Sequence, residues 1–197
     1  MIMPTTSDNG SGIASALKEQ LALITFVVLF AGLVSTETYY AGFGVRYQVL
    51  EFSITHLVYR GLTAVLDGPW LIVAYLIAMG WLAGGSAGMA GRWPRTAPWV
   101  QPITYALVIL VVITTYLAGI AAGAHAADVD LRSGTSRLPV VRELKNKDGK
   151  AMPFAGYRLL FAGKDIVILF KPAASTAEVP FIHLIKRDDT SDITLSR

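Results

Sequence analysis

Three long apolar stretches dominate the first two thirds of the chain, and polar or aromatic residues flank each of them. They cover residues 21–40, 69–90 and 102–124. A helix needs about 20 predominantly apolar residues to cross the hydrocarbon core of a bilayer, and all three stretches reach that length. Pro69 and Pro102 open the second and third stretches, where the missing N–H of proline costs a helix nothing. The pattern therefore predicts three transmembrane helices.

The N-terminal segment before the first span, residues 1–20, is a polar tail that leads into the helix. A cleaved signal peptide is the alternative for this end of the chain. Its basic region would be weak, because Lys18 is offset by Glu19, and no small-x-small cleavage pattern follows. We therefore expect the first span to be retained.

A fourth helical pattern lies between the first two spans, over residues 49–66. Apolar residues fall on one side of this helix, while His56, Arg60 and Thr63 fall on the other at spacings of three and four. An amphipathic helix that follows a transmembrane helix is expected to lie flat in the headgroup region. The alternative is a helix packed against the C-terminal part of the chain.

The pattern becomes strand-like after the third span. Residues 125–136 are small and polar, which is typical of a linker, and short apolar runs follow from residue 137. The runs 157–161 and 165–171 flank a short connection that contains glycine, which predicts a β-hairpin. The nearly continuous runs IVILF and FIHLI are typical of strands with both faces covered. Residues 137–197 are thus predicted to form a small all-β module, either SH3-like or a half-barrel.

Aromatic and basic residues mark the ends of the predicted spans. Tyrosine and tryptophan rings favour the headgroup level, where arginine side chains also reach lipid phosphates. The residues that predict membrane interfaces are Tyr39, Tyr40, Arg92, Trp93, Arg95 and Trp99.

Glycines at helical spacing on the second and third spans predict close approach of other helices. Two consecutive GxxxG steps occupy one face of the second span, and the third span has a second small-residue patch. The glycines concerned are Gly80, Gly84, Gly88, Gly119 and Gly123. They would serve either packing within this chain or contact with other membrane subunits or a second copy.

The charged residues are distributed unevenly along the chain, and the overall composition argues against some classes of function. Residues 1–124 hold five basic and five acidic residues, whereas the remainder holds 12 basic and 9 acidic ones. The net charge of +3 is small and scattered, without the basic stripe of a nucleic-acid-binding protein. The chain has no cysteine, which excludes disulfides, thiolate catalysis and cysteine-ligated metals.

The sequence motifs do not indicate a catalytic or ligand-binding group of side chains. His56, His125 and His183 are far apart in the sequence, and no catalytic signature or phosphate-binding loop is present. Glu37 lies near the end of the first span, and no ionisable residue is central in any span, which argues against a proton-coupled transporter or an ion-selective pore. The sequence therefore predicts no catalytic residue, no cofactor and no bound metal.

Two segments resemble parts of multi-span bacterial membrane proteins of unknown function. YYAGFGVRYQVLEFS follows the first span, and the tail YRLLFAGKDIVILF is similar to small C-terminal β modules of such proteins. The resemblance implies a bacterial membrane protein and transfers no functional residue.

Together these features predict a multi-pass protein of the plasma membrane that contacts lipids and other subunits. Its expected role is that of a non-catalytic accessory or scaffold subunit. A membrane-anchored sensor whose β module binds a ligand or peptide is the first alternative, and a membrane enzyme or transporter is the second. The positive-inside rule favours a cytoplasmic C-terminal module. The basic residues that would share its side are Arg46, Arg60, Arg132, Arg137 and Arg142, against Lys18, Arg92 and Arg95 on the other side.

Overall fold

The computed structural model describes residues 9–46, 50–81, 97–132, 136–172 and 181–196. The helices in these ranges are α1 (Asn9–Gly42), α2 (Ile54–Asp67), α3 (Pro69–Gly80) and α4 (Ala97–Leu131). The strands are β1 (Val140–Asn146), β2 (Arg158–Ala162), β3 (Ile166–Lys171), β4 (Phe181–Lys186) and β5 (Thr190–Ser196). A helical part with two long apolar helices, followed by a five-stranded antiparallel sheet, is thus confirmed.

Two helices in the described part of the chain are long and apolar enough to cross a membrane. The qualifying segments are Leu21–Gly42 of α1 and Gln101–Leu131 of α4. The pair formed by α2 and Ile72–Ala78 of α3 passes the same test only if it is taken as one span, bent by 94°. The predicted second span, 69–90, is described only as far as residue 81.

The chain divides into two compact units. The helical unit contains α1 up to Thr36 and the chain from Ile54 to Ala122, while the sheet unit contains Glu37–Ser53 and the chain from Gly123 onward. The C-terminal turns of α1 and of α4 therefore both belong to the sheet unit.

The helix α4 extends further than the sequence predicted. It continues through residues 125–131, which were expected to form part of a linker, and ends at Leu131. The segment includes Ala126 and Ala127, and alanine is the best helix former. Asp128 and Arg132 add an ion pair at helical spacing, with Oδ2 and Nη2 2.6 Å apart.

The helical unit has a small apolar core between its helices. Val27 of α1, Ala78 of α3 and Val111 of α4 are buried together, and Val65 and Tyr75 pack against them. Thr115 is also buried, and its hydroxyl donates a hydrogen bond to the carbonyl oxygen of Val111, 2.6 Å away. Such bonds satisfy a buried hydroxyl within its own helix.

The sheet has the strand order β4–β3–β2–β1–β5, and every neighbouring pair is antiparallel. The first four strands follow one another in space as they do in sequence. A single 3-10 turn, Arg187–Asp189, then carries the chain from β4 at one edge to β5 at the other. The fifth strand pairs with the first along most of its length, from Val140 opposite Ser196 to Asn146 opposite Thr190.

Strand β3 is covered on both faces, as its continuous apolar run predicted. Val167, Ile168, Leu169 and Phe170 have no exposed surface. Val167 and Leu169 pack on one face with residues from β1, β4 and the β1–β2 connection. Ile168 and Phe170 pack on the other.

The second face of the sheet is completed by the ends of the membrane helices. Tyr39, Tyr40 and Phe43 from the end of α1 share a buried cluster with Ile168 and Phe170. The rings of Phe43 and Phe170 meet edge to face, with centroids 5.1 Å apart. Residues 137–197 thus contain one buried cluster of their own, on one face of the sheet, and share the other with residues of α1.

Candidate functional site

The predicted interfacial tyrosines lie inside the sheet unit. Tyr39 and Tyr40 are 2% and 3% exposed, so their rings are buried in the cluster of the sheet rather than displayed to headgroups. The hydroxyl of Tyr39 donates a hydrogen bond to Oδ2 of Asp130 at 2.8 Å, and Oδ1 of Asp130 accepts one from the backbone N–H of Arg137 at 3.0 Å. A buried tyrosine needs such a partner for its polar end. These contacts tie α1, α4 and the start of the sheet together.

Of the other four predicted interface residues, only Trp99 lies within the described residues. Trp99 lies in the first turn of α4. Arg92, Trp93 and Arg95 lie outside the described residues.

The predicted glycine patches fall in different surroundings. Gly80 has open space where a Cβ would stand, while Gly84 and Gly88 lie outside the described residues. Gly119 is buried, and a Cβ there would come within 2.8 Å of Cβ of Val34 in α1. Gly123 is buried as well. Association through a GxxxG face on the second span stays a prediction.

The helices α1 and α2 approach each other closely at Gly32 and Gly61. A Cβ on Gly32 would overlap the carbonyl oxygen of Leu57, and a Cβ on Gly61 would overlap the carbonyl oxygen of Val28. The two backbones are thus in direct contact, which only glycine permits. The signal in the sequence was one glycine on the apolar side of each helix, without a GxxxG repeat to draw attention to it.

The amphipathic helix α2 carries a line of polar residues. His56, Arg60, Thr63 and Asp67 follow one another at spacings of four, three and four, which places them on one side of the helix. Asp67 is exposed and the other three are partly exposed. We call these four residues the α2 stripe.

An apolar cavity of about 200 Å³ lies beside α2 within the helical unit. Its lining comes from all four helices: Ile24, Val27, Val28, Val65, Ile72, Tyr75, Val111, Thr114 and Thr115. The hydroxyls of Thr114 and Thr115 donate to carbonyl oxygens of their own helix. The cavity is therefore suited to an alkyl chain rather than to a polar ligand.

Among the described residues of the sheet unit, the most exposed large apolar side chains lie on the β4 edge. Strand β4 pairs only with β3 among the described strands, and its Phe181 and Leu184 are 71% and 60% exposed. The opposite edge, β5, instead presents exposed Asp192 and Thr194. Natural edge strands are normally protected by charge, and β4 carries only Lys186 at its end.

Three rings form a separate aromatic cluster on the sheet unit. The rings of Phe154 and Tyr157, in the β1–β2 connection, meet each other and the ring of His183 on β4, with centroids 5.2 to 5.4 Å apart. All three side chains are half-buried. The ring planes meet at 62° to 90°, so the cluster offers aromatic faces and edges together with two polar groups.

Within the described ranges no three His, Asp or Glu side chains come close enough together to hold a metal ion. The ion pairs Lys145–Glu143 and Lys147–Asp189 lie on the exposed surface of the sheet unit. No family profile, curated protein or solved structure matches this chain.

Proposed function

We propose that this protein is a non-catalytic accessory or scaffold subunit of a membrane protein complex. The β4 edge carries the proposal. Exposed polar backbone and charged side chains favour water over the hydrocarbon core for a sheet of this kind. An apolar edge that no other described strand covers is, in water, typical of a surface to which another polypeptide adds a strand.

Three membrane crossings, as the sequence predicts, agree with the chain path. The hydrogen bond between Tyr39 and Asp130 brings the C-terminal turns of α1 and α4 together, so both helices end on one side of the membrane. If each crosses once, the chain between Gly42 and Ala97 must cross an odd number of times. The apolar segment that starts with α2 and α3 is the candidate for that crossing. Three spans are thus the smallest number that fits.

The sheet unit belongs, in this proposal, on the cytoplasmic side of a plasma membrane. Five basic residues lie near the membrane on the side of the sheet and three on the other, and cytoplasmic flanks carry the excess of Lys and Arg.

The strand order supports an SH3-like small barrel for the sheet unit. Four strands in a meander, a 3-10 turn and a fifth strand that returns to the first are the connections of that fold. SH3-like modules commonly serve as binding platforms for peptides, which is compatible with a scaffold.

The proposal is tested by introducing a charge on the β4 edge. Leu184→Lys is expected to remove a stoichiometric partner from complexes purified through a C-terminal tag in polymer discs, because a buried lysine at that edge opposes strand addition. Thr194→Lys places the same charge on the exposed β5 edge and is expected to leave the partner bound. Native mass spectrometry gives the composition of both. A wild-type chain that is a lone monomer in mild discs would exclude the proposal.

The second candidate function is a sensor whose β module binds a peptide, and the aromatic cluster favours it. Planar rings with polar edges recognise extended peptides. In the same purification, loss of the partner with Tyr157→Leu but not with Leu184→Lys would select this function, since that change removes one ring and leaves the β4 edge intact.

A further inference from the structure

The helix α2 runs alongside the apolar segment of α1 rather than flat across its end. Leu57 lies against Gly32, Gly61 lies against Val28, and Val65 packs against the cluster that contains Val27. As the residue number rises along α2 it falls along α1. The two helices therefore run in broadly opposite directions, and α2 descends beside α1.

The depth of the contact can be read from α1. Val27 lies about midway between Glu19 and Glu37, the charged residues that bound its apolar run. At about 1.5 Å per residue, these lie roughly 12 and 15 Å from Val27 along the helix, close to half the thickness of a hydrocarbon core. Val65 is at this level and Asp67 follows it by two residues. The sequence had predicted that α2 lies at the headgroups and that no ionisable residue lies deep in the membrane.

The surface of α2 that is turned away from α1 consists of two strips that run along the helix, one apolar and one polar. Its exposed apolar residues Tyr59, Leu62 and Leu66 are 68%, 46% and 67% exposed, as expected for a face in contact with lipid. The α2 stripe runs beside that face and ends at Asp67. Charged side chains at such depth almost always face a protein interior or water, because lipid cannot solvate them.

We propose that α2 is a membrane-inserted half-helix whose stripe lines a water-accessible crevice. The crevice opens on the side of the membrane where α1 ends, at the level of His56, and reaches Asp67 near mid-depth. It admits water and small hydrated solutes. The bend of 94° between α2 and α3 places its inner end at a helix break, where free backbone groups also need polar partners.

The natural absence of cysteine makes the crevice directly testable, because each introduced cysteine is the sole thiol of the chain. Thr63→Cys and Asp67→Cys lie on the stripe, and Leu62→Cys and Leu66→Cys, each one residue earlier, lie on the apolar face. The full chain is reconstituted in sealed vesicles and treated with a small charged methanethiosulfonate that cannot cross the bilayer. Lys147→Cys, in the exposed turn after β1, reports which side the reagent reaches. Labelling is followed by intact mass.

The two stripe cysteines are expected to react at least tenfold faster than their neighbours, from the side that labels Lys147→Cys, because the thiolate reacts and lipid suppresses its formation. Equal reaction at all four positions would mean that lipid does not cover the face of Leu62 and Leu66, and would overturn the proposal. No reaction at either stripe position would mean a sealed, dry stripe and would overturn it as well. Thr63→Cys is close in size to the native side chain, so it decides the result if Asp67→Cys does not fold.

Discussion

Replacing Gly61 with alanine is expected to lower the free energy of unfolding of the helical unit by about 3 kcal/mol. The new Cβ would overlap the carbonyl oxygen of Val28, and a backbone atom cannot turn aside as a side chain can. The helices must move apart, and the packing of Val65 against the cluster that contains Val27 is weakened with the crossing. Helical circular dichroism of the full chain, followed during titration with SDS in mixed micelles, measures the change.

Gly80→Ala is the matched control for this prediction. Gly80 is exposed and has no atom within 4 Å of an added Cβ, so the same substitution is expected to be neutral or slightly stabilising. Gly32→Ala should resemble Gly61→Ala, and the double variant should cost less than the two together, because either change alone already separates the helices. Equal stability of Gly61→Ala and Gly80→Ala would contradict a direct backbone contact between α1 and α2.

The parts of the fold that depend on local pattern could be predicted from the sequence. Apolar length located α1 and α4, Pro69 marked the start of α3, and the continuous run of β3 indicated a strand covered on both faces. Each of these follows from residues that are neighbours in the chain. The hairpin of β2 and β3 belongs with them, since a short connection leaves little choice of pairing.

The parts of the fold that depend on contacts between distant residues could not be predicted from the sequence. An amphipathic helix can bury its apolar side in lipid headgroups or against another helix, and the pattern of α2 is the same in both cases. Only the positions of Gly32 and Gly61 in space distinguish them. Tyr39 likewise is of a residue type that favours membrane interfaces. It is instead buried, and its hydroxyl donates a hydrogen bond to Asp130, which lies 91 positions further along the chain.

Side-chain alternation also failed at one point inside the sheet. Leu159 and Phe161 should share a face, but the register shifts between them, and Leu160 and Phe161 both contact the cluster formed with α1. A β-bulge of this kind turns one extra residue toward the same side. It brings the ring of Phe161 to those of Tyr40 and Phe52, with centroids 6.2 and 5.5 Å away. The aromatic contact between the sheet and the end of α1 thus depends on a β-bulge that the alternation of side chains in the sequence does not predict.

Replacing Phe170 with alanine is expected to destabilise the sheet unit by about 3–5 kcal/mol, the usual cost of removing a fully buried phenylalanine. Its ring has no exposed surface and packs on Phe43 from the end of α1. The loss would therefore weaken the attachment of the sheet to the helix as well as the sheet itself. Amide hydrogen exchange of the full chain measures both, because β3 and the last turn of α1 should lose protection together.

Phe181→Ala provides the matched comparison, since Phe181 belongs to the same sheet and is 71% exposed. Its removal is expected to change stability by no more than about 0.5 kcal/mol. If Phe170→Ala increased exchange in β3 but left residues 37–43 fully protected, the sheet would be an independent domain. If both segments lose protection by a similar factor, the end of α1 is part of the core of the sheet. A partner that binds the β4 edge would then act on a unit that includes the ends of the membrane helices.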